Sequence, residues 1–428
     1  MTRPHVLVVG CGFGGFHAVR RLESRLSLDE ADITVVTPRD HLLYTPLLPE
    51  VAGGLLDPRA VTVPLTGRLR SRLVLGNVDD LDLPGRRAWV TDPEGSRSVL
   101  AWDRLVLAAG SVSSPVTIPG LTEHAVGFKT TAEAAFLRDH VLQQLELAMA
   151  TDDPQVRAER TTFVVIGAGF AGTELVAFLH RLTQAFARHH RSDPPLRPRW
   201  VLVDATSRVL PELGRDLGGR ALAVLRRRGV DVRLRTTVAE VAQAGVRTSD
   251  GRWIPSRTVV WCGGVTPNPL VHRLGLPLER GRVRVDERLA VAGAPGVFAL
   301  GDLAAVADLT RPGHDTAQTA QHAMRQGRTV ADAVLESLGR GTARPYRHHD
   351  LGLAADLGGW QAVARPLGLP LTGPAARVAA RGYHLAAIPG NRSRIAASWL
   401  TGAGRPPLLV HLDLNQRPHH SPLMGSAS

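Results

Sequence analysis

The 428-residue chain is short of cysteine, lysine, aromatic side chains and long apolar runs, and each shortage excludes something. With Cys11 and Cys262 as its only cysteines, it can build neither a disulfide framework nor a CxxC or Cys/His metal site. A reducing compartment is therefore expected. No uninterrupted apolar stretch approaches the roughly 18 residues that a spanning helix needs. The opening run Pro4-His5-Val6-Leu7-Val8-Val9 is too short, and too soon followed by glycine, for a signal peptide. A cytoplasmic location is the expectation, with attachment to a membrane surface left open. Lys129 is the only lysine among 51 basic residues, which stand against 39 acidic ones for a net charge of +12. Arginine scattered along the chain reads as a compositional habit. A nucleic-acid reader would cluster its basic residues on one stripe, so no nucleic-acid partner is expected. Aromatics make up only 4%, whereas 44% hydrophobic and 21% charged residues describe an ordinary globular protein, long enough for two or three domains.

What is present is a pattern used twice. The β-branched run Val6 to Val9 leads into Gly10-Cys11-Gly12-Phe13-Gly14-Gly15 and then an apolar-periodic stretch from Phe16 to Leu26. A buried parallel strand, a tight glycine turn and a helix are the parts of a dinucleotide-binding βαβ unit. Gly10 permits the turn, Gly12 lets a pyrophosphate approach the backbone, and Gly15 lets the helix pack closely. The helix N-terminus supplies free N–H groups and a positive dipole end. The pattern recurs at Phe163-Val164-Val165-Ile166, followed by Gly167-Ala168-Gly169-Phe170-Ala171-Gly172 and a helix through Glu174. Two such units imply two nucleotides bound at once.

The ribose acceptor of each unit belongs at the end of its second strand. In the second unit Arg199-Trp200-Val201-Leu202-Val203 ends in Asp204, whose carboxylate can take both ribose hydroxyls and would repel a 2′-phosphate. NADH is favoured over NADPH, and Arg208 softens that preference. In the first unit the strand ends in Thr37-Pro38-Arg39, a hydroxyl in place of the usual acid. Two further strands end in small residues, at Gly110 and at Gly263-Gly264, where a chain passes close to a nucleotide. A third ends in Gly301-Asp302, a carboxylate that can bind a polyol.

These residues together resemble the flavoproteins related to glutathione reductase, and within them the type II NADH dehydrogenases. The segment Thr37 to Pro49, Val259-Val260-Trp261 with Gly264 to Leu270, and Ala320 to Gly327 carry the closer likeness, which covers roughly residues 4 to 400. The resemblance implies an α/β fold of two Rossmann-like dinucleotide-binding domains plus a C-terminal region. The FAD domain would be discontinuous, 1–115 and 280–335. The NADH domain would be inserted at 116–279, with a C-terminal region at 336–418 for membrane or partner contact and a mobile tail at 419–428. FAD would contact Gly10, Gly12, Gly15, Thr37, Pro38, Arg39, Val78, Gly110 and Asp302. NADH would lie on Gly167, Gly169, Gly172, Glu174, Asp204 and Gly264. The implied activity is transfer of a hydride from NADH to flavin and of two electrons to a quinone in a respiratory chain, without proton pumping, and homodimers are compatible with it. Disulfide reduction is excluded, because such relatives place two cysteines just after the first nucleotide unit and this chain has none there. Cys11 and Cys262 read as small packing residues.

The chain also departs from the family pattern. The helix near the flavin usually presents two glutamines at i and i+4; Gln321 fits the first, and Arg325 occupies the second. A guanidinium there can donate to a quinone oxygen and stabilise developing negative charge, select an anionic acceptor, fill the site, or be a solvated helix residue. Glu174 is open to two readings, a group acting on the nicotinamide carboxamide or a first-turn acid serving a helix dipole. The C-terminal stretch Ala375 to Ile388 carries a stripe of Val378, Gly382 and Leu385 flanked by Arg377, Arg381 and His384, and Trp399-Leu400 lies beyond it. Arginines beside a modest apolar face suit an anionic lipid surface, with a plain core helix as the alternative. Two acceptors therefore stay open: a membrane quinone, or a non-quinone acceptor of a soluble FAD-dependent NADH oxidoreductase.

Overall fold

The computed structural model describes residues 3–114, 117–190, 192–402, 409–412 and 414; the tail expected at 419–428 lies outside them. The chain divides into two units, one made of 1–42, 64–112 and 265–349, the other of 43–63, 113–264 and 350–428.

The first unit is built on a five-stranded parallel sheet. Its strands are β1 (His5–Val9), β2 (Asp32–Thr37), β3 (Arg72–Leu75), β4 (Arg104–Leu107) and the strand Val297–Ala299, in the order Val297–Ala299, β4, β1, β2, β3. Val6, Leu7 and Val8 have no exposed surface, as expected of a central parallel strand covered on both faces. Helix α1 (Phe13–Glu23) leaves the glycine turn, and the helix Ala320–Ser337 packs along it. They approach closely at Gly327, where a Cβ would collide with the backbone oxygen of Gly14.

The second unit repeats the plan. Strands β5 (Ala125–Gly127), β6 (Thr162–Ile166), β7 (Arg199–Asp204), β8 (Asp231–Leu234) and β9 (Thr258–Trp261) form a parallel sheet in the order β5, β9, β6, β7, β8. Every residue of β6 is buried. The short helix α2 (Leu48–Ala52) belongs to this unit, as does α3 (Phe170–His189), which leaves the second glycine turn. The C-terminal part adds a small antiparallel sheet of Ala354–Asp356, Ala362–Ala364 and Leu371–Thr372. Helices α4 (Gly373–Ala387) and α5 (Arg392–Thr401) come after it.

α4 turns one of the arginines that flank its apolar stripe inward. Val378 is 65% exposed, whereas Ala376, Arg377 and Ala380 are buried, so part of the apolar stripe faces solvent and an arginine faces inward. The reason is a buried partner for that arginine, Asp356.

Candidate functional site

The two glycine turns are the same cradle built twice. Gly10 has φ +96° and Gly167 φ +111°, the left-handed region that only glycine enters without strain. A Cβ on Gly10 would strike the carbonyl of Ala108, and one on Gly167 would lie 2.7 Å from the carbonyl oxygen of Cys262. A Cβ on Gly15 would meet the oxygen of Gly10, and one on Gly172 the oxygen of Gly167, so each helix sits directly on its own turn. Gly12 and Gly169 have open space around them. Both are N-caps without a capping side chain, and neither α1 nor α3 has an acid in its first turn. Helix N-termini with no capping side chain and no first-turn acid, beside open space, suit a diphosphate. Cys11 is buried, and burial pushes its thiol up to about 12, so it stays a thiol between the glycines.

The strand ends after the two turns differ. Asp204 accepts from the Ala168 N–H at 2.5 Å through Oδ2, and from the Thr206 N–H at 2.6 Å and the Thr206 hydroxyl through Oδ1. A carboxylate offers about four acceptor positions, so one remains for a ribose hydroxyl. Thr37 is buried, and its hydroxyl donates to the Arg39 carbonyl at 3.2 Å while accepting the Arg39 N–H. It holds its own turn together with Pro38 and Arg39. Gly110 lies after β4 with φ +68°, and its carbonyl accepts from the Asn268 N–H at 3.0 Å. Asp302 accepts from the Ser111 hydroxyl at 2.7 Å, and Val78 is half-buried. In the second unit the carbonyl of the exposed Gly264 accepts from the Ser114 N–H at 3.0 Å.

On the helix Ala320–Ser337 the pair separated by one turn is joined. Arg325 Nη1 donates to Gln321 Oε1 at 3.1 Å and lies 3.4 Å from His348 Nδ1. Gln321 is buried and Arg325 half-buried, so the guanidinium is committed to neighbours and is not a freely solvated surface group. The neighbouring Gln326 has a structural task, accepting from the Gly301 N–H at 2.8 Å and donating to Thr316 at 3.1 Å.

The second unit buries a cluster of acids that no local motif announces. Glu174 lies in the second turn of α3, buried, with Oε1 accepting from the Asp356 N–H at 2.7 Å. It is not the first-turn acid of a helix dipole, because the first turn of α3 carries none. Glu50, on α2, is 3% exposed and accepts from Trp399 Nε1 at 2.6 Å. Asp356 pairs with Arg377 at 3.1 Å, and Arg381 lies 4.0 Å from it. Burial first, then the charge of Asp356, pushes Glu50 up to about 7. Burial likewise raises Glu174 well above the ordinary carboxylate range, helped by Asp356 and Glu50. Glu50, Glu174, Asp356, Arg381 and His384 border one small cavity of about 10 Å³, the room of a single water. Burial lowers His384 to about 4, so its ring is neutral beside the Tyr44 hydroxyl, 3.1 Å away. A buried carboxyl that holds its proton near neutrality can give and take a proton. Sequence reasoning misses Glu50 and Asp356, and puts His384 and Trp399 in a C-terminal lipid-facing or core segment without placing them beside the acids; the one available signal is an acid at Glu50 inside the apolar run Pro46 to Ala52.

Comparison with known proteins gives a consistent picture. The family model described as pyridine nucleotide-disulphide oxidoreductase matches residues 4–327. A type II NADH:quinone oxidoreductase of Mycobacterium tuberculosis is 34% identical over 93% of this chain and 87% of its own length. A demethylphylloquinone reductase of Synechocystis is 30% identical over 94% of this chain and 96% of its own length. Among solved structures, NDH2 of Plasmodium falciparum in complex with NADH shares the fold, with a TM-score of 0.87, 15% identity and coverage of 96% of this chain and 100% of the other.

Proposed function

The chain belongs to the type II NADH:quinone oxidoreductases, within the pyridine nucleotide-disulphide oxidoreductase family, and from that premise we propose that it oxidises NADH and reduces a quinone, with FAD in the first glycine cradle and NADH in the second. The net reaction is NADH + H⁺ + quinone → NAD⁺ + quinol, two electrons and one consumed proton, with no proton pumping. Bound FAD supplies the two-electron carrier between the two substrates.

The observation that carries this reading is the doubled cradle: two strand–glycine turn–helix units, each with an uncapped helix N-terminus and open space at its middle glycine. Gly10, Gly12 and Gly15 hold the FAD diphosphate on backbone N–H groups, and Gly110, Asp302, Val78 and the Thr37 to Arg39 turn border the rest. Gly167, Gly169 and Gly172 do the same for NADH, with Gly264 alongside. Asp204 takes a ribose hydroxyl and repels a 2′-phosphate. Glu174 holds or releases a proton on the NADH-binding unit. Gln321 and Arg325 orient the acceptor; the fixed cation stabilises negative charge developing on an acceptor oxygen.

Attachment to the membrane surface is part of the proposal. No helix among the described residues is long and apolar enough to cross a membrane. Leu367 is 78% exposed, Leu369 62%, Val378 65% and Leu400 77%, and Arg392 and Arg394 are exposed on α5. Exposed apolar groups beside arginines suit an anionic lipid surface.

The test is anaerobic. The purified flavoprotein is reduced with NADH and then mixed with a menaquinone analogue or with an anionic soluble acceptor. Reoxidation by the quinone in preference to the anion is expected; no quinone reoxidation above the buffer rate would overturn the reading and favour the soluble acceptor that the Arg325 cation suits. Co-sedimentation with anionic vesicles, lost in Val378→Asp with Leu400→Asp, tests the surface.

A further inference from the structure

The strand Val297–Ala299 ends in a turn that its own sheet does not hold. The Leu300 N–H makes the last ladder bond, to the Leu107 carbonyl at 3.1 Å. Gly301 then turns at φ +71°, and its N–H finds its acceptor in a side chain, Gln326 Oε1 at 2.8 Å. Gln326 is 1% exposed, and its Nε2 donates to the Thr316 hydroxyl oxygen at 3.1 Å. Thr316 is buried as well, and its N–H donates to the Val306 carbonyl at 2.8 Å. One amide therefore ties three segments together: the turn after the strand, the stretch before the helix Ala320–Ser337, and the helix itself.

The amide has one workable direction. A backbone N–H can only donate, so Oε1 faces Gly301 and Nε2 faces Thr316. Glycine enters the left-handed region without strain but is equally at ease outside it, so the bond to Gln326 sets which conformation the turn keeps. What the turn carries is Asp302. Its Oδ2 accepts from the Ser111 hydroxyl at 2.7 Å, and its carbonyl accepts from Gln318 Nε2 at 3.0 Å. Oδ1 has no partner among the described residues, so it is the acceptor left for a polyol hydroxyl.

We propose that Gln326 is a positioning residue for the flavin: it fixes the Gly301 turn and so aims the Asp302 carboxylate at a hydroxyl of the FAD polyol. This rests on placing FAD in the first glycine cradle with Asp302 beside it. Gln326 acts through the turn and through Asp302, with Thr316 as the second anchor that keeps the amide from rotating.

A double-mutant cycle separates action through Asp302 from general support of the fold. FAD dissociation constants are read from flavin fluorescence on dilution of the holoenzyme. Asp302→Ala is expected to raise the constant about tenfold, the loss of one charge-assisted hydrogen bond. Gln326→Leu, close in size and without polar atoms, is expected to raise it about tenfold as well. The double variant is expected to lie within about twofold of either single one, whereas two independent effects would multiply to about 100-fold. Thr316→Val keeps the Gly301 bond and removes the second anchor; about threefold weaker binding is expected, vanishing on the Asp302→Ala background, with Thr316→Ser restoring the wild-type value. Multiplying effects in both pairs, unchanged FAD affinity in Gln326→Leu and Thr316→Val, or Thr316→Ser no better than Thr316→Val would overturn the inference. Failure of the FAD placement itself shows differently, as an Asp302→Ala protein that holds flavin as tightly as the wild type.

Discussion

The two glycine cradles share one geometry and differ in the side chain at the neighbouring strand end. In both, a glycine at positive φ lies against a neighbouring strand's carbonyl, a second is open, and a third lets the helix rest on the turn. Beside the second cradle Asp204 reaches back to the turn with one acceptor position to spare; beside the first, Thr37 spends its hydroxyl on Arg39. On the proposed reading, glycine geometry provides a diphosphate site common to both units, and the strand-end side chain decides how strongly each ribose is read.

The strongest way to break this parallel is to fill one cradle at a time. Gly15→Val is expected to abolish flavin retention, seen as loss of visible absorbance in the purified protein, because the added atoms meet the Gly10 carbonyl. Gly172→Val, its counterpart, is expected to keep the flavin and lose reduction by NADH. The strand ends sharpen the contrast. Asp204→Ala should raise the KM for NADH about tenfold, the loss of one charge-assisted hydrogen bond, and narrow the preference for NADH over NADPH. Thr37→Ala should leave flavin affinity within about twofold, since its hydroxyl serves the turn and not the ribose.

Smaller effects are expected from the acid cluster of the second unit. Glu50 holds its proton up to about pH 7 when folded, above its ordinary value of 4.5. The stabilisation from that proton is complete below about pH 4.5 and is lost as the pH rises through about 7. The melting temperature should fall across that window, and Glu50→Gln, which keeps an acceptor for Trp399, should flatten the fall. An identical slope in the variant would remove Glu50 as its cause. Trp399→Phe should cost about 1–3 kcal/mol in denaturant unfolding, because a buried acceptor loses its donor.

Much of the fold was legible because its signals are local. A fully apolar strand, glycines at fixed spacing and a helix starting at once can be read without knowing any distant residue, as Val6 to Phe16 and Phe163 to Thr173 illustrate. The i, i+4 spacing of Gln321 and Arg325 likewise placed them one turn apart on one helix face. Faces were harder to read. The stripe through Val378 left a lipid-facing surface and a core helix both open; Val378 is exposed, while the flanking Arg377 is drawn inward to Asp356 from another segment.

By itself the sequence determined two strand–glycine turn–helix units, the acid at the end of the following strand in the second, and the one-turn spacing of Gln321 and Arg325, since each is written in a short local segment. Tertiary structure alone decided the rest. It gathered Glu50, Glu174, Asp356 and Trp399 from widely separated segments and set Gln326 between Gly301 and Thr316. Burial, proton affinity and hydrogen-bond direction are properties of a side chain's surroundings, and those surroundings exist only once distant parts of the chain have met.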